Sequence, residues 1–326
     1  MKIRALALVS GGLDSSLAVR LIQEQGIEVE GVSFVSPFFR PENAKEAAEE
    51  LGIKLYIRDV SSEILEIVKN PRYGYGKNMN PCIDCHILMI KKAKELMERL
   101  RASFLITGEV VGQRPRSQNK QILEAIAKRA DIQGKLLRPL SAKLLPITDP
   151  EKRESIDREK LLALSGKSRK PQLELAKRYH LKEYGTPAGG CLLTDSIFSR
   201  RLRDLLSHNE YTLDNVLFLK LGRHFRSSSG LKIVIGRNKE ENKRIRSLAK
   251  KGDISFNVIG HKGPLGIVRG LLDEATKEEA ASLCARYSDG KEFPRVKVSY
   301  KRLPDGETKS IVITPVDATG LGVTRV

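Results

Sequence analysis

The sequence predicts an α/β fold, an open parallel sheet with helices on both faces, followed by a smaller α+β domain. Three observations carry this. Residues 3–9 are mostly aliphatic, as in a strand buried on both faces. A Gly-rich turn and a helical apolar pattern over 15–25, ended by Gly26, follow at once. The alternation then repeats: a strand at 29–35, a helix at 42–51 stopped by Gly52, and a strand at 54–59. Residues 104–108 read as a later strand whose carboxyl end opens into a loop, where ligands of such sheets bind.

Residues 143–150 form a Pro-containing connection, and 157–164 and 171–179 look helical. Beyond about residue 205 short aliphatic segments at 231–235, 254–259, 295–298 and 310–314 stand between turn signals. Helix-like stretches lie at 240–249 and 277–287. The expected division is therefore residues 1–204 and 205–326.

Length and composition bound the function. The 326 residues are enough for two domains, and 40% hydrophobic with 30% charged residues suits a globular protein. No apolar run approaches the roughly 20 residues that span a bilayer. The apolar start runs into Ser10, Gly11 and Gly12 with no cleavage pattern, so it reads as a strand and not a signal peptide, and the expected location is cytoplasmic. With 58 Lys+Arg against 40 Asp+Glu the net charge is +18, which favours a polyanionic partner.

The segment Ser10, Gly11, Gly12, Leu13, Asp14, Ser15, Ser16 links the first strand to the first helix. Glycines let backbone approach a phosphate, and the helix start offers free N–H groups with partial positive charge. The serines add hydroxyl donors. Asp14 repels bare phosphate, so its expected work is through Mg²⁺ or in shaping the loop. The string resembles the SGGxDS motif of the PP-loop ATP pyrophosphatases; it lacks the Gly-Lys-Ser/Thr of the Walker A loop. The resemblance implies that ATP is cleaved between its α and β phosphates, so that a substrate is adenylylated.

The segment from Thr107, Gly108 and Glu109 through Gly112, Gln113, Arg114 and Arg116 to Ser117 and Gln118, with Arg138, Pro139 and Leu140 farther on, resembles the tRNA 4-thiouridine synthetases of the ThiI family. Gly108 and Gln113, with Phe34 near the end of the second strand, join Ser10, Gly11, Gly12, Asp14, Ser15 and Ser16 as expected ATP contacts. Arg114 and Arg116 are expected at RNA.

Four cysteines are present, at 82, 85, 191 and 284. Cys82 and Cys85 precede a helix-like run over 87–100, and a helix start favours thiolates. Cys191 follows the Gly-rich segment 186–190. Three readings stay open: three ligands of a [4Fe–4S] cluster with one iron left open, a persulfide on one cysteine resolved by another, or structural zinc with His86. The pattern looks like cluster-dependent tRNA thiolation enzymes and is similar to the late Gly-Cys turn of the MnmA 2-thiouridylases. The resemblance implies that Cys82, Cys85 and Cys191, with Asp14, are the catalytic residues, and that the three cysteines hold any metal. Cys284 matches nothing and reads as core. Asp84 is a candidate acid or base.

The 4-thiouridine synthetases carry an RNA-binding THUMP domain before the loop, and some a rhodanese-like tail. This chain begins at the first strand, so RNA recognition is expected after residue 205. The segments 221–226 and 233–242 resemble the NFACT-R module, with Arg223, Arg226, Arg237 and Lys239 as phosphate contacts. The expected activity is an ATP-dependent tRNA sulfurtransferase using ATP, Mg²⁺ and a [4Fe–4S] cluster. Its expected partners are tRNA, sulfide or a persulfide-carrying protein, and a second copy of the chain. The alternatives are a thiolase without cluster, a small-molecule enzyme, and an ATP-binding RNA- or ribosome-associated factor.

Overall fold

The computed structural model describes residues 3–182, 184, 190–316 and 318–326, so residues 186–189 of the Gly-rich segment lie outside the described residues. The chain divides into two compact units, Met1–Ser196 and Ile197–Val326. No described helix is long and apolar enough to cross a membrane.

The first unit runs β1 (Arg4–Leu8), α1 (Leu13–Gln23), β2 (Glu28–Val35), α2 (Glu42–Leu51), β3 (Leu55–Asp59), α3 (Ser61–Lys69), α4 (Cys82–Leu100), β4 (Phe104–Ile106), α5 (Lys120–Arg129), β5 (Leu136–Leu137), α6 (Asp149–Lys152) and α7 (Lys170–Arg178). The sheet is parallel in the order β3-β2-β1-β4-β5, with Ala5 opposite both Val29 and Phe104. Ala5, Ala7 and Val9 pack with Leu13, Leu17 and Ile22 of α1 and Ala44 of α2. α4 packs against β1 and β4 and touches α3 and α5. The predicted open sheet is therefore present. β1 is its switch point: β2 pairs on one side and β4 on the other, leaving a crevice at the two strand ends.

Two elements differ from expectation. α4 begins at Cys82 and not near 87, because Pro81 can stand before a first turn whose N–H groups need no partner. The helix expected over 157–164 is only a 3₁₀ turn at Arg158–Lys160. Its leucines extend instead, Leu162 and Leu164 donating N–H bonds to the carbonyls of Pro139 (3.0 Å) and Leu140 (2.8 Å).

The second unit contains α8 (Ser196–Ser207, whose first residue ends the first unit), α9 (Leu213–Phe218), β6 (Arg223–Arg226), β7 (Lys232–Ile235), α10 (Lys239–Leu248), β8 (Ile254–Val258), β9 (Leu265–Arg269), α11 (Glu274–Arg286), β10 (Val296–Arg302), β11 (Lys309–Ile313) and β12 (Thr324–Arg325). Its antiparallel sheet has the order β11-β10-β8-β9-β7-β6-β12. Ala280, Leu283 and Cys284 of α11 pack with Phe256, Val268 and Val298 on one face, so Cys284 is core as expected. Ile245 of α10 and Phe218 of α9 cover Val234 and Ile267 on the other.

Candidate active site

The crevice beside β1 and β4 is a cleft of about 280 Å³, lined by Ser10, Gly12, Asp14, Ser15, Phe34 and Gly108 and also by Cys82, Cys85 and Cys191. The phosphate loop is built from the end of β1. Gly12 is the N-cap of α1 and supplies no side-chain cap, so the helix start is open to a ligand. Ser15 Oγ donates to the Gly12 carbonyl at 2.7 Å, and Ser10 Oγ accepts from Gly12 N–H at 3.3 Å. Two glycines are sterically required. Gly11 has φ +75°, and a Cβ there would stand 2.2 Å from the Asn43 backbone. A Cβ on Gly108 would stand 2.4 Å from the Asp14 carbonyl carbon, so only glycine lets the loop after β4 lie on the phosphate loop. Gly11 and Ser16 are outside the cleft lining: Ser16 is buried under the loop with its hydroxyl towards Gly12.

Asp14 is held from behind. Gln113 Nε2 donates to its Oδ2 at 2.7 Å, and Gln172 Nε2 of α7 donates to Gln113 Oε1 at 3.1 Å. The other oxygen, Oδ1, is buried without a hydrogen-bond partner. A buried carboxylate oxygen without a partner, on a residue that lines the cleft, is a donor that suits Mg²⁺, so this position fits the ion.

Behind the loop after β4 lies a buried hub that sequence reasoning missed. Glu109 Oε2 accepts from Arg138 Nε (2.8 Å) and Thr107 Oγ1 (3.0 Å), and its Oε1 lies 2.8 Å from His86 Nδ1. Burial alone would raise the Glu109 carboxyl, but the Arg138 guanidinium and His86 outweigh it and hold the group well below the usual carboxylate range. The pair therefore adds stability above the unfolded carboxyl's pKa, near 4.5, and loses it as pH falls below that. Glu109→Gln leaves Arg138 buried and unpaired, so thermal or denaturant unfolding at pH 7 should show a loss of about 3–5 kcal/mol. The difference from wild type should shrink in acid.

Cys82 opens α4, and its sulfur accepts from Asn80 Nδ2 at 3.2 Å. Cys85 lies one turn on and is buried. Cys191 caps the 3₁₀ turn Leu192–Thr194, which is anchored by Leu192 N–H to Phe38 O (3.0 Å) and Asn78 Nδ2 to Thr194 O (2.6 Å). Burial, then the charges of Cys191, Cys82 and Asp84, push the Cys85 thiol far up, so the helix-start effect expected to favour thiolates is outweighed there. Burial raises Cys191 to about 11, against N–H bonds from Leu193 and Thr194 and the charge of Arg114. Among the described residues no three His, Cys, Asp or Glu side chains converge on one metal ion. The single-zinc arrangement, which needs the cysteines and His86 around one ion, is not formed among the described residues. A cubane cluster holds its cysteines on separate irons, farther apart than the ligands of one ion. Three free thiols facing one cleft fit that donor set.

Asp84 accepts from Tyr73 N–H at 3.1 Å and so braces the loop before α4. Arg40, Arg114 and Arg169 also line the cleft, and Arg169 Nε is buried without a partner. Arg40 and Arg169 carried no sequence signal beyond isolated basic residues. Arg116 is outside the lining, donating to Tyr73 O at 3.4 Å.

In the second unit the expected RNA contacts separate. Arg226 is buried, donating to Asp204 Oδ1 (2.9 Å) and Glu210 Oε2 (2.7 Å), so its charge is neutralised within the domain and it leaves the set of phosphate contacts. Arg237 is paired with Glu241, and Arg223 lies 4.3 Å over the Tyr287 ring. Lys239 is exposed at the start of α10.

With this geometry in hand, residues 1–143 match the family model described as thiamine biosynthesis protein (ThiI), and residues 222–322 match that described as NFACT protein RNA binding domain. Residues 1–143 are thus similar to a ThiI-type domain and residues 222–322 to an NFACT-R-type domain. The tRNA-specific 2-thiouridylase MnmA 1 of Syntrophus aciditrophicus (strain SB) is 31% identical over 216 residues, 57% of each chain. MnmA 3 of Bacteroides fragilis (strain YCH46) is 34% identical over 111 residues, 33% of this chain and 31% of that one. A probable tRNA sulfurtransferase of Geobacillus sp. (strain WCH70) is 33% identical over 114 residues, 34% and 28% of the two chains. The chain therefore spans from 28% to 57% of these relatives' own length.

Proposed function

We propose that the chain is an ATP-dependent tRNA sulfurtransferase that exchanges a uridine carbonyl oxygen, at the 4 or the 2 position, for sulfur. The observation that carries this reading is that the phosphate loop and three cysteines open onto one cleft. The start of α1 and Ser10 bind the ATP phosphates. Asp14 would hold Mg²⁺, which when bound screens the phosphate charge, and Arg169 and Arg114 neutralise the departing pyrophosphate. The carbonyl oxygen attacks the α phosphorus, the bond to the β phosphate breaks, and pyrophosphate leaves. A sulfur nucleophile then attacks the ring carbon, and the original oxygen departs with AMP. No residue here is assigned as acid or base; Asp84 is turned to the Tyr73 backbone.

Cys82, Cys85 and Cys191 would hold a [4Fe–4S] cluster, which when bound supplies an open iron for sulfide. The second reading rests on the same free thiols: a persulfide on Cys191 delivers its outer sulfur, and Cys82 or Cys85 closes a disulfide that an external thiol must reduce. The sulfur donor is sulfide in the first case and a persulfide-carrying protein in the second. The NFACT-R-type unit supplies tRNA affinity. A cytoplasmic location and a homodimer complete the proposal.

The test is tRNA-dependent pyrophosphate release by anaerobically purified protein, followed with and without sulfide. One AMP and one pyrophosphate should appear per thionucleoside. ATP binding without any tRNA-dependent pyrophosphate would favour an RNA-associated factor that uses ATP only for its fold.

A further inference from the structure

The second unit carries free positive charge in a place the sequence motifs do not mark. α9 and α10 cover β7 and β9 on one sheet face through Phe218, Ile245, Val234 and Ile267. α11 packs against β8, β10 and β11 on the opposite face. Strand residues alternate between faces. Val296, Val298 and Tyr300 of β10 pack into the core with α11, so Lys297, Ser299 and Lys301 point the other way. Register sets Ser299 between Asn257 and Ser310, and Lys301 beside Ser255. Arg246 of α10 borders a shallow cavity of about 160 Å³ floored by Ser255, Asn257, Ser299 and Lys301.

Some cations of this unit are held by carboxylates, while others, Arg200, Arg203 and Lys239 among them, form no ion pair among the described residues. Arg226, Lys232, Arg237 and Arg269 are neutralised by Asp204, Glu210, Glu241 and Asp253. Arg246, Lys297 and Lys301 have no carboxylate partner among the described residues; Lys301 Nζ donates only to Pro304 O at 3.3 Å. A phosphate contact needs a cation that is free to release its counterion. Ser255 Oγ and Ser299 Oγ donate to the carbonyls of Lys301 (3.5 Å) and Asn257 (3.2 Å), which leaves the Asn257 amide as a neutral donor for a phosphate oxygen.

We propose that this face of β8, β10 and β11, rimmed by Arg246, is where the phosphodiester backbone of the RNA lies. The inference rests on the tRNA reading above and names the surface that does the binding. The experiment measures tRNA affinity of the full chain against salt concentration by anisotropy. Lys297→Ala/Lys301→Ala should bind at least about ten-fold more weakly at low salt, with the slope of log K against log salt reduced by about two. Lys297→Arg/Lys301→Arg should bind as wild type. Arg200→Ala/Arg203→Ala removes the same charge from α8 and should change little. If wild type binds tRNA and the β10 alanine variant matches it, or if the α8 variant loses as much, the assignment of this face is overturned. If wild type itself does not bind tRNA, the tRNA reading fails.

Discussion

Asp14→Ala should abolish tRNA-dependent pyrophosphate release, by at least about a hundred-fold, the upper range seen when even an indirect partner of a metal site is removed. The side chain sits at the second residue of α1, its Oδ2 held by Gln113 and its Oδ1 buried without a hydrogen-bond partner. Removing it takes away the only carboxylate of the phosphate loop while the Gly11 and Gly108 approaches stay intact. Asp14→Asn separates two roles. The amide can keep the Gln113 bond but carries no charge for Mg²⁺. If Asp14 serves the ion, Asn should be nearly as inactive as Ala; near-normal turnover would leave Asp14 as a loop-shaping residue only. Gln113→Ala should act more weakly, about ten-fold or more, through a misplaced Asp14. Melting temperature distinguishes all three from unfolding.

Substitution of any one of Cys82, Cys85 or Cys191 by Ala should remove thionucleoside formation while leaving pyrophosphate release measurable. The cysteines line the cleft from α4 and the turn at Leu192–Thr194 and are not part of the phosphate loop, so the first half-reaction should not need them. On the cluster reading, anaerobically purified wild type is brown with about four irons per chain, and each variant is pale. Colourless, iron-free wild type that still thiolates from a persulfide donor would overturn the cluster and leave the persulfide route. Cys284→Ala is the control. It sits in the second unit's core, so it should destabilise slightly and leave colour and activity unchanged.

The first unit was legible where local pattern and tertiary role agree. β1, α1, β2, α2 and β3 were read because aliphatic strands alternate with amphipathic helices, and Gly52, at φ +65°, stops α2 as its position suggests. The phosphate loop was read because its strand–glycine–helix context is local. The Glu109 hub was invisible because its partners lie 23 and 29 residues away and nothing local announces a buried ion pair. The expected helix over 157–164 failed because backbone pairing with Pro139 and Leu140 overrode leucine spacing. In the second unit β6 was hidden for a related reason. Its sequence, Arg-His-Phe-Arg, reads as exposed, yet His224 and Arg226 are buried, and Asp204 and Glu210 neutralise Arg226. Motif resemblance therefore chose Arg226 for RNA, whereas only the fold tells which cations are free.

The claim at the centre is that ATP activates a tRNA carbonyl so that sulfur can replace its oxygen. Nucleoside analysis of tRNA from cells lacking the gene tests it most directly. One thiouridine should disappear, return with the wild-type gene, and fail to return with Asp14→Ala or Cys191→Ala. An unchanged set of thionucleosides in the deletion strain would contradict the account.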